Sequence, residues 1–95
     1  LPFLIFTKSM DFVKVYDDRS LQSTQVRLEG AAAKIFLYCN EAAKTIDQIK
    51  EHLNGQNGKG KESAEEAIRF LEEKGLVYGE RGKYFNLALP HNPNL

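Results

Sequence analysis

The chain has 95 residues, 42% of them hydrophobic and 27% charged, a composition that fits one globular domain with a modest core. Thirteen basic residues balance thirteen acidic ones, which removes the overall positive charge that marks most nucleic-acid binders. No apolar run approaches the ~20 residues of a membrane span, and the single cysteine, Cys39, excludes an internal disulfide. A reducing location, the cytoplasm, and no membrane association are therefore expected.

Residues Leu1–Met10 begin apolar around Pro2. The run is too short, and too polar on its far side, for a signal peptide. We read residues 1–10 as an extended arm or a linker from a preceding domain. The chain does not open on Met, so a piece of a longer protein is expected. Residues 11–90 are read as the domain proper. In Asp11–Asp17, Val13 and Val15 alternate with Lys14 and Tyr16, the period of a half-buried strand. Asp17-Asp18-Arg19-Ser20 is turn chemistry. Ser23–Leu28 is either a short second strand or an irregular link.

Gly30–Asn40 reads GAAAKIFLYCN, apolar on nearly every side with only Lys34 interrupting. A helix apolar all round is a buried one. A strand over Ile35–Tyr38 competes, but the three preceding alanines favour helix. This central helix is the element around which the rest should pack. A polar joint, Asn40–Lys44, follows. In TIDQIKEHL, Thr45 and Gln48 stand at capping-box spacing, and Ile46, Ile49 and Leu53 form one apolar stripe. Asn54-Gly55 ends that helix, and Gly55–Gly60 forms a polar loop with three glycines. The third helix opens on a second capping box, Ser63 with Glu66. It buries Ala64, Ala67, Ile68 and Leu71, and stops at Gly75 with Leu76 beyond it.

A hairpin closes the chain: Leu76–Tyr78 and Lys83–Leu89, around Gly79-Glu80-Arg81-Gly82. Alternation turns Phe85, Leu87 and Leu89 toward the core, and Pro90 ends the strand. Residues 91–95 are read as a disordered tail. The fold class is α+β: an N-terminal strand, three helices and a C-terminal β-hairpin, a winged helix of the helix-turn-helix type.

Catalysis needs convergent groups, and the sequence brings none together. His52 and His91 are separated by a helix and a hairpin. Cys39 sits in an apolar helix that raises its pKa instead of activating it. These three residues do not make a clustered zinc site, and GQNGKG lacks the spacing of a phosphate-binding loop. The fragment is read as not an enzyme, with no cofactor and no metal. DNA binding is the alternative that a winged helix raises. Charge counts against it: the third helix carries Glu62, Glu65, Glu66, Glu72 and Glu73 against Arg69 and Lys74, where a duplex would require cations. Nucleic acid is therefore not the expected partner.

Two passages carry a family resemblance. AAKIFLYCNEAAKTIDQIKEHL resembles the helical part of PqqD-like domains, winged-helix peptide chaperones of ribosomal-peptide modification, through Leu37, Cys39, Asn40, Thr45, Ile46 and Ile49. FLEEKGLVYGERGKYFNLALP is similar to the C-terminal end of cobalamin-binding radical SAM maturases of bacteriocin-type peptides. It matches through Gly75, Leu76, Val77, Gly82, Lys83, Tyr84, Leu87, Ala88, Leu89 and Pro90. The upstream VYDDR is also similar to that family's strand before the first helix. The iron–sulfur motif of such enzymes is absent from this sequence, so neither cluster nor SAM nor cobalamin is assigned to it. The resemblance implies a non-catalytic accessory domain. It would bind a precursor peptide or pack on the catalytic domain of the same protein. A peptide would add as a strand beside Phe12, Val13, Lys14, Val15 and Tyr16 and rest on the third helix, with Glu65, Arg69 and Glu72 reading its charge.

Overall fold

A computed structural model of the chain describes residues 4–54 and 64–91. The N-terminal part is a three-strand antiparallel meander: β1 (Leu4–Lys8), β2 (Phe12–Asp17) and β3 (Thr24–Glu29). Part of the expected arm is thus a strand of the domain's own sheet, because its alternate residues Leu4 and Phe6 are buried with Val13 and Val15. Ser23–Leu28, left open between strand and link, forms β3 from Thr24 onward. One face of the sheet, with Leu4, Phe6, Val13, Val15 and Leu28, enters the core. The cross-strand register places Ile5, Thr7, Phe12, Lys14, Tyr16, Gln25, Arg27 and Glu29 on the other face.

The central helix is α1 (Gly30–Glu41). Ile35 and Phe36 have no exposed surface, and Phe36 meets Phe6 edge-on with ring centroids 5.4 Å apart. The chain turns from β3 directly into α1 at Gly30, whose φ of 58° suits glycine. A two-residue strand, β4 (Lys44–Thr45), then leads into α2 (Ile46–Asn54). The capping box forms: the Thr45 amide donates to Gln48 Oε1 at 2.8 Å, and the Gln48 amide donates to Thr45 Oγ1 at 3.2 Å. The glycine loop and the Ser63 cap lie outside the described residues.

Helix α3 (Ala64–Glu73) buries Ala64, Ala67, Ile68 and Leu71. It ends in a Schellman turn: Gly75 has a φ of 70°. The amides of Leu76 and Gly75 donate to the carbonyls of Leu71 and Glu72 at 2.8 and 2.9 Å. The hairpin is tighter than expected. β5 (Tyr78–Glu80) and β6 (Lys83–Phe85) pair across a two-residue turn, Arg81-Gly82, with both φ values positive, as a type I′ turn requires. β6 also pairs with β4, giving a second sheet of order β4-β6-β5.

The expected alternation is reversed from Tyr84 onward: Tyr84 packs against the core in place of Phe85. Asn86 and Ala88 are buried, whereas Leu87 and Leu89 are 74% and 60% exposed. Hydrogen bonding sets the phase. The Asn86 amide group donates to the Phe36 carbonyl at 2.8 Å, and Asn86 Oδ1 accepts from the Ala88 backbone N–H at 3.2 Å and from Asn40 Nδ2 at 2.8 Å. Asn40 Nδ2 also reaches the Ala88 carbonyl at 2.7 Å. The expected strand Lys83–Leu89 is broken after Phe85, and Pro90 is the last residue of a separate strand. That strand is β7 (Leu89–Pro90), which runs parallel to β1 and completes the first sheet in the order β3-β2-β1-β7. Pro90 occupies an edge, where its missing donor costs little. The His91 amide continues the pairing, donating to the Phe6 carbonyl at 2.8 Å; the rest of the expected tail lies outside the described residues.

Candidate functional site: an open strand edge beside the third helix

The edges of the first sheet decide what can dock on it. Strand β2 is paired on both sides, with β1 and with β3. A peptide therefore has no free backbone to meet beside Phe12–Tyr16, and the expected mode of strand addition there is closed. The reason is that two segments read from sequence as an arm and as an uncertain link are both strands. The outer edge of β3 is unpaired among the described residues. It offers a row of backbone donors and acceptors of the kind that accepts an added strand.

That edge borders a shallow cleft of about 220 Å3, lined by Arg27, Leu28 and Glu29 of β3, Ala32 of α1, and Ala67 and Phe70 of α3. The two alanines keep the floor low, with the buried Leu28 beneath it. Phe70, 40% exposed, forms the wall, with Lys74 Nζ 5.8 Å from its ring centroid. Glu66 and Glu73 lie one turn to either side of Phe70 on α3. On the outer face of the sheet Arg27 donates to Glu29 at 2.6 Å and covers the Phe12 ring at 3.8 Å.

The other predicted residues are dispersed. Val13 and Val15 are buried in the core. Phe12, Lys14 and Tyr16 stand on the outer sheet face. Glu65 bonds to Lys50 of α2 at 2.7 Å, and this bond holds its carboxyl below the usual range. The Glu72 carboxylate stands beside Gly79 of the hairpin. Glu65, Arg69 and Glu72 share the flank of α3 that is turned away from Phe70. Sequence reading missed Arg27, Leu28, Glu29, Ala32, Ala67 and Phe70 as cleft residues. The 40% exposure of Phe70 follows from its lying one step off the buried stripe of α3.

A second, larger hollow of about 490 Å3 lies between the β1–β2 turn, α1 and the end of α2. Lys8, Asp11, Lys34, Glu41 and His52 mix their charges around its mouth. The His52 ring stacks on Tyr38, with centroids 3.9 Å apart, and Lys44 Nζ lies 4.0 Å from the Tyr38 centroid. Cys39 is buried, and that burial pushes its thiol up to about 11. Among the described residues no three His, Cys, Asp or Glu side chains group as metal ligands, and no helix is long and apolar enough to cross a membrane. Compared with protein-family models, curated proteins and solved structures, the chain matches none of them.

Proposed function

We propose that this α+β domain is a winged-helix peptide-binding module, an accessory domain of a radical SAM protein that modifies ribosomal precursor peptides. The arrangement of elements supports the winged-helix reading: three helices, a short strand between the first two, and a two-strand wing that pairs with it. The sequence resemblance supports the peptide class. The observation that carries the binding mode is the β3 edge, unpaired among the described residues, lying against the cleft under Phe70. An extended peptide would add beside Thr24–Glu29 through backbone hydrogen bonds and seat an alternate side chain on Leu28, Ala32 and Ala67. The domain supplies recognition; the chemistry belongs to a partner domain.

Titrating the 15N-labelled chain with a synthetic precursor-type peptide tests this. Amide shifts confined to Thr24–Glu29 and to Ala67–Phe70 are expected, and their loss in Phe70→Ala. Shifts that leave both segments unmoved refute it. One observation favours a second role, packing on the catalytic domain: Leu87 and Leu89, beside the β7 edge, are 74% and 60% exposed. Replacing both by Ser should weaken association with that domain and leave peptide shifts at β3 unchanged.

A further inference from the structure

The core lies against one face of the first sheet, and the opposite face carries an apolar row. Leu89 of β7 stands beside Ile5 of β1, and Ile5 stands beside Tyr16 of β2. Apolar side chains thus line up across three neighbouring strands. Leu89 and Tyr16 are exposed and Ile5 is half-buried. Leu87, two residues before Leu89, is exposed as well and widens the patch. Contiguous exposed apolar surface of this kind marks an interaction site, whereas single exposed side chains do not. The next row along the sheet is polar: Thr7 beside Lys14, with Arg27 beyond. Arg27 is answered by Glu29 at 2.6 Å. Lys14 makes no ion pair among the described residues; its one contact is with the Phe12 ring, 6.0 Å away. It is the charge that this face leaves open.

Size selects the occupant. Four strands spaced about 4.8 Å apart, the longest of six residues, make a face of at most about 400 Å2. Covering it would bury roughly 800 Å2 over both partners, less than the ~1,200 Å2 that a stable complex of separate molecules needs. That is too little for a second copy of this chain, and it falls within the range of contacts between domains of one polypeptide. Resting on the reading of this chain as an accessory domain, we infer that the outer sheet face is covered by an amphipathic helix of the larger protein, with an Asp or Glu set against Lys14. The row Leu89–Ile5–Tyr16 spans two strand spacings, about 10 Å, which is the width of one helix. A helix laid along β1 seats its apolar stripe on that row. It reaches Lys14 about 7 Å further on, between four and five helical residues away. The carboxylate therefore stands one turn from the apolar contacts. This surface is separate from the β3 edge, so peptide and helix are held at once.

Three synthetic helical peptides in an Ala/Gln background test this. One carries two leucines four residues apart with Glu one turn away on either side; in the second Lys replaces Glu, and in the third Ser replaces Leu. Each is titrated to millimolar concentration into the intact 15N-labelled chain at low salt. The Leu/Glu peptide is expected to shift the amides of Ile5, Lys14, Tyr16 and Leu89, and to bind roughly threefold tighter than the Leu/Lys peptide, from one exposed ion pair. The Ser peptide is expected to shift none of them. Lys14→Gln should abolish the preference between the two leucine peptides, and Tyr16→Ser/Leu89→Ser should abolish the shifts, both with an unchanged circular dichroism spectrum. No shift on this face, equal affinity for the two leucine peptides, or outer-face amides that move when the chain alone is diluted, as a second copy would make them, overturns the inference. If it falls while the loss of Leu87 and Leu89 still weakens association with the catalytic domain, the accessory-domain reading stands; if that association is also unaffected, packing on that domain falls with it.

Discussion

Replacing Asn86 by Ala should be the most damaging single change outside the apolar core, and its cost can be worked from the bonds it removes. Asn86 is 5% exposed. Its side chain donates once, to the Phe36 carbonyl, and accepts twice, from Asn40 Nδ2 and the Ala88 N–H. After truncation Asn40 keeps its bond to the Ala88 carbonyl, and the Phe36 carbonyl keeps its helical partner. The buried Ala88 N–H keeps nothing. An orphaned buried donor costs about 1–3 kcal/mol, and a lost side-chain bond about 1 kcal/mol net. Together these give about 2–3 kcal/mol, or a fall in melting temperature of about 10–20 °C for a domain of this size. Thermal unfolding followed by circular dichroism measures it. Asn40→Ala should be milder, and the double variant should fall short of the sum by about 1 kcal/mol, because the two amides share a bond. A shift below about 3 °C for Asn86→Ala, or strict additivity with Asn40→Ala, would refute the reasoning.

Three further outcomes are expected. Gly75→Ala should cost about 1–2 kcal/mol, since an L side chain is forced left-handed there and its Cβ would stand 3.2 Å from Arg19 Nη2. Gly82→Ala, with nothing within 4 Å, should cost only the backbone strain; equal unfolding midpoints for the two would contradict this. Cys39, with its thiol raised to about 11 by burial, should resist an aromatic disulfide reagent at pH 8 in the folded chain and react within minutes in urea. The guanidinium of Arg19 bonds Asp17 and holds its carboxyl below the usual range. That contribution is fully present above the unfolded value near 4 and is lost as the pH falls through the lower folded value. Arg19→Met should therefore flatten the acid limb of stability below about pH 4; an unchanged limb counts against the pair.

Local signals were legible where one residue type has one physical use. Thr45 with Gln48 and Gly75 with Leu76 announced a helix start and a helix stop, and both form as read. The apolar run Ala31–Cys39 likewise marked the element that the others surround. What failed was pairing at long range. Leu4–Lys8 carries the alternation of a strand, yet nothing near it in sequence says which strand it joins. The last stretch was read by period alone, which points Leu87 and Leu89 inward. A single buried amide, Asn86, overrides that period by bonding to α1. Phe12–Tyr16 was misread as an edge for the same reason: an edge is a property of the whole sheet, and this strand could look open until both of its neighbours were known.

The pairing of β7 with β1 sets a condition on how the domain is made. The partners Ile5 and Leu89 are separated by almost the entire chain. During synthesis the first meander and the helices can condense early, while one flank of β1 stays bare until Leu89 and Pro90 have emerged. Of the pairings in that sheet, this one closes the longest loop and is the most entropically demanding. Any event that delays or trims the C-terminal stretch would leave a sticky, half-finished sheet open to self-association.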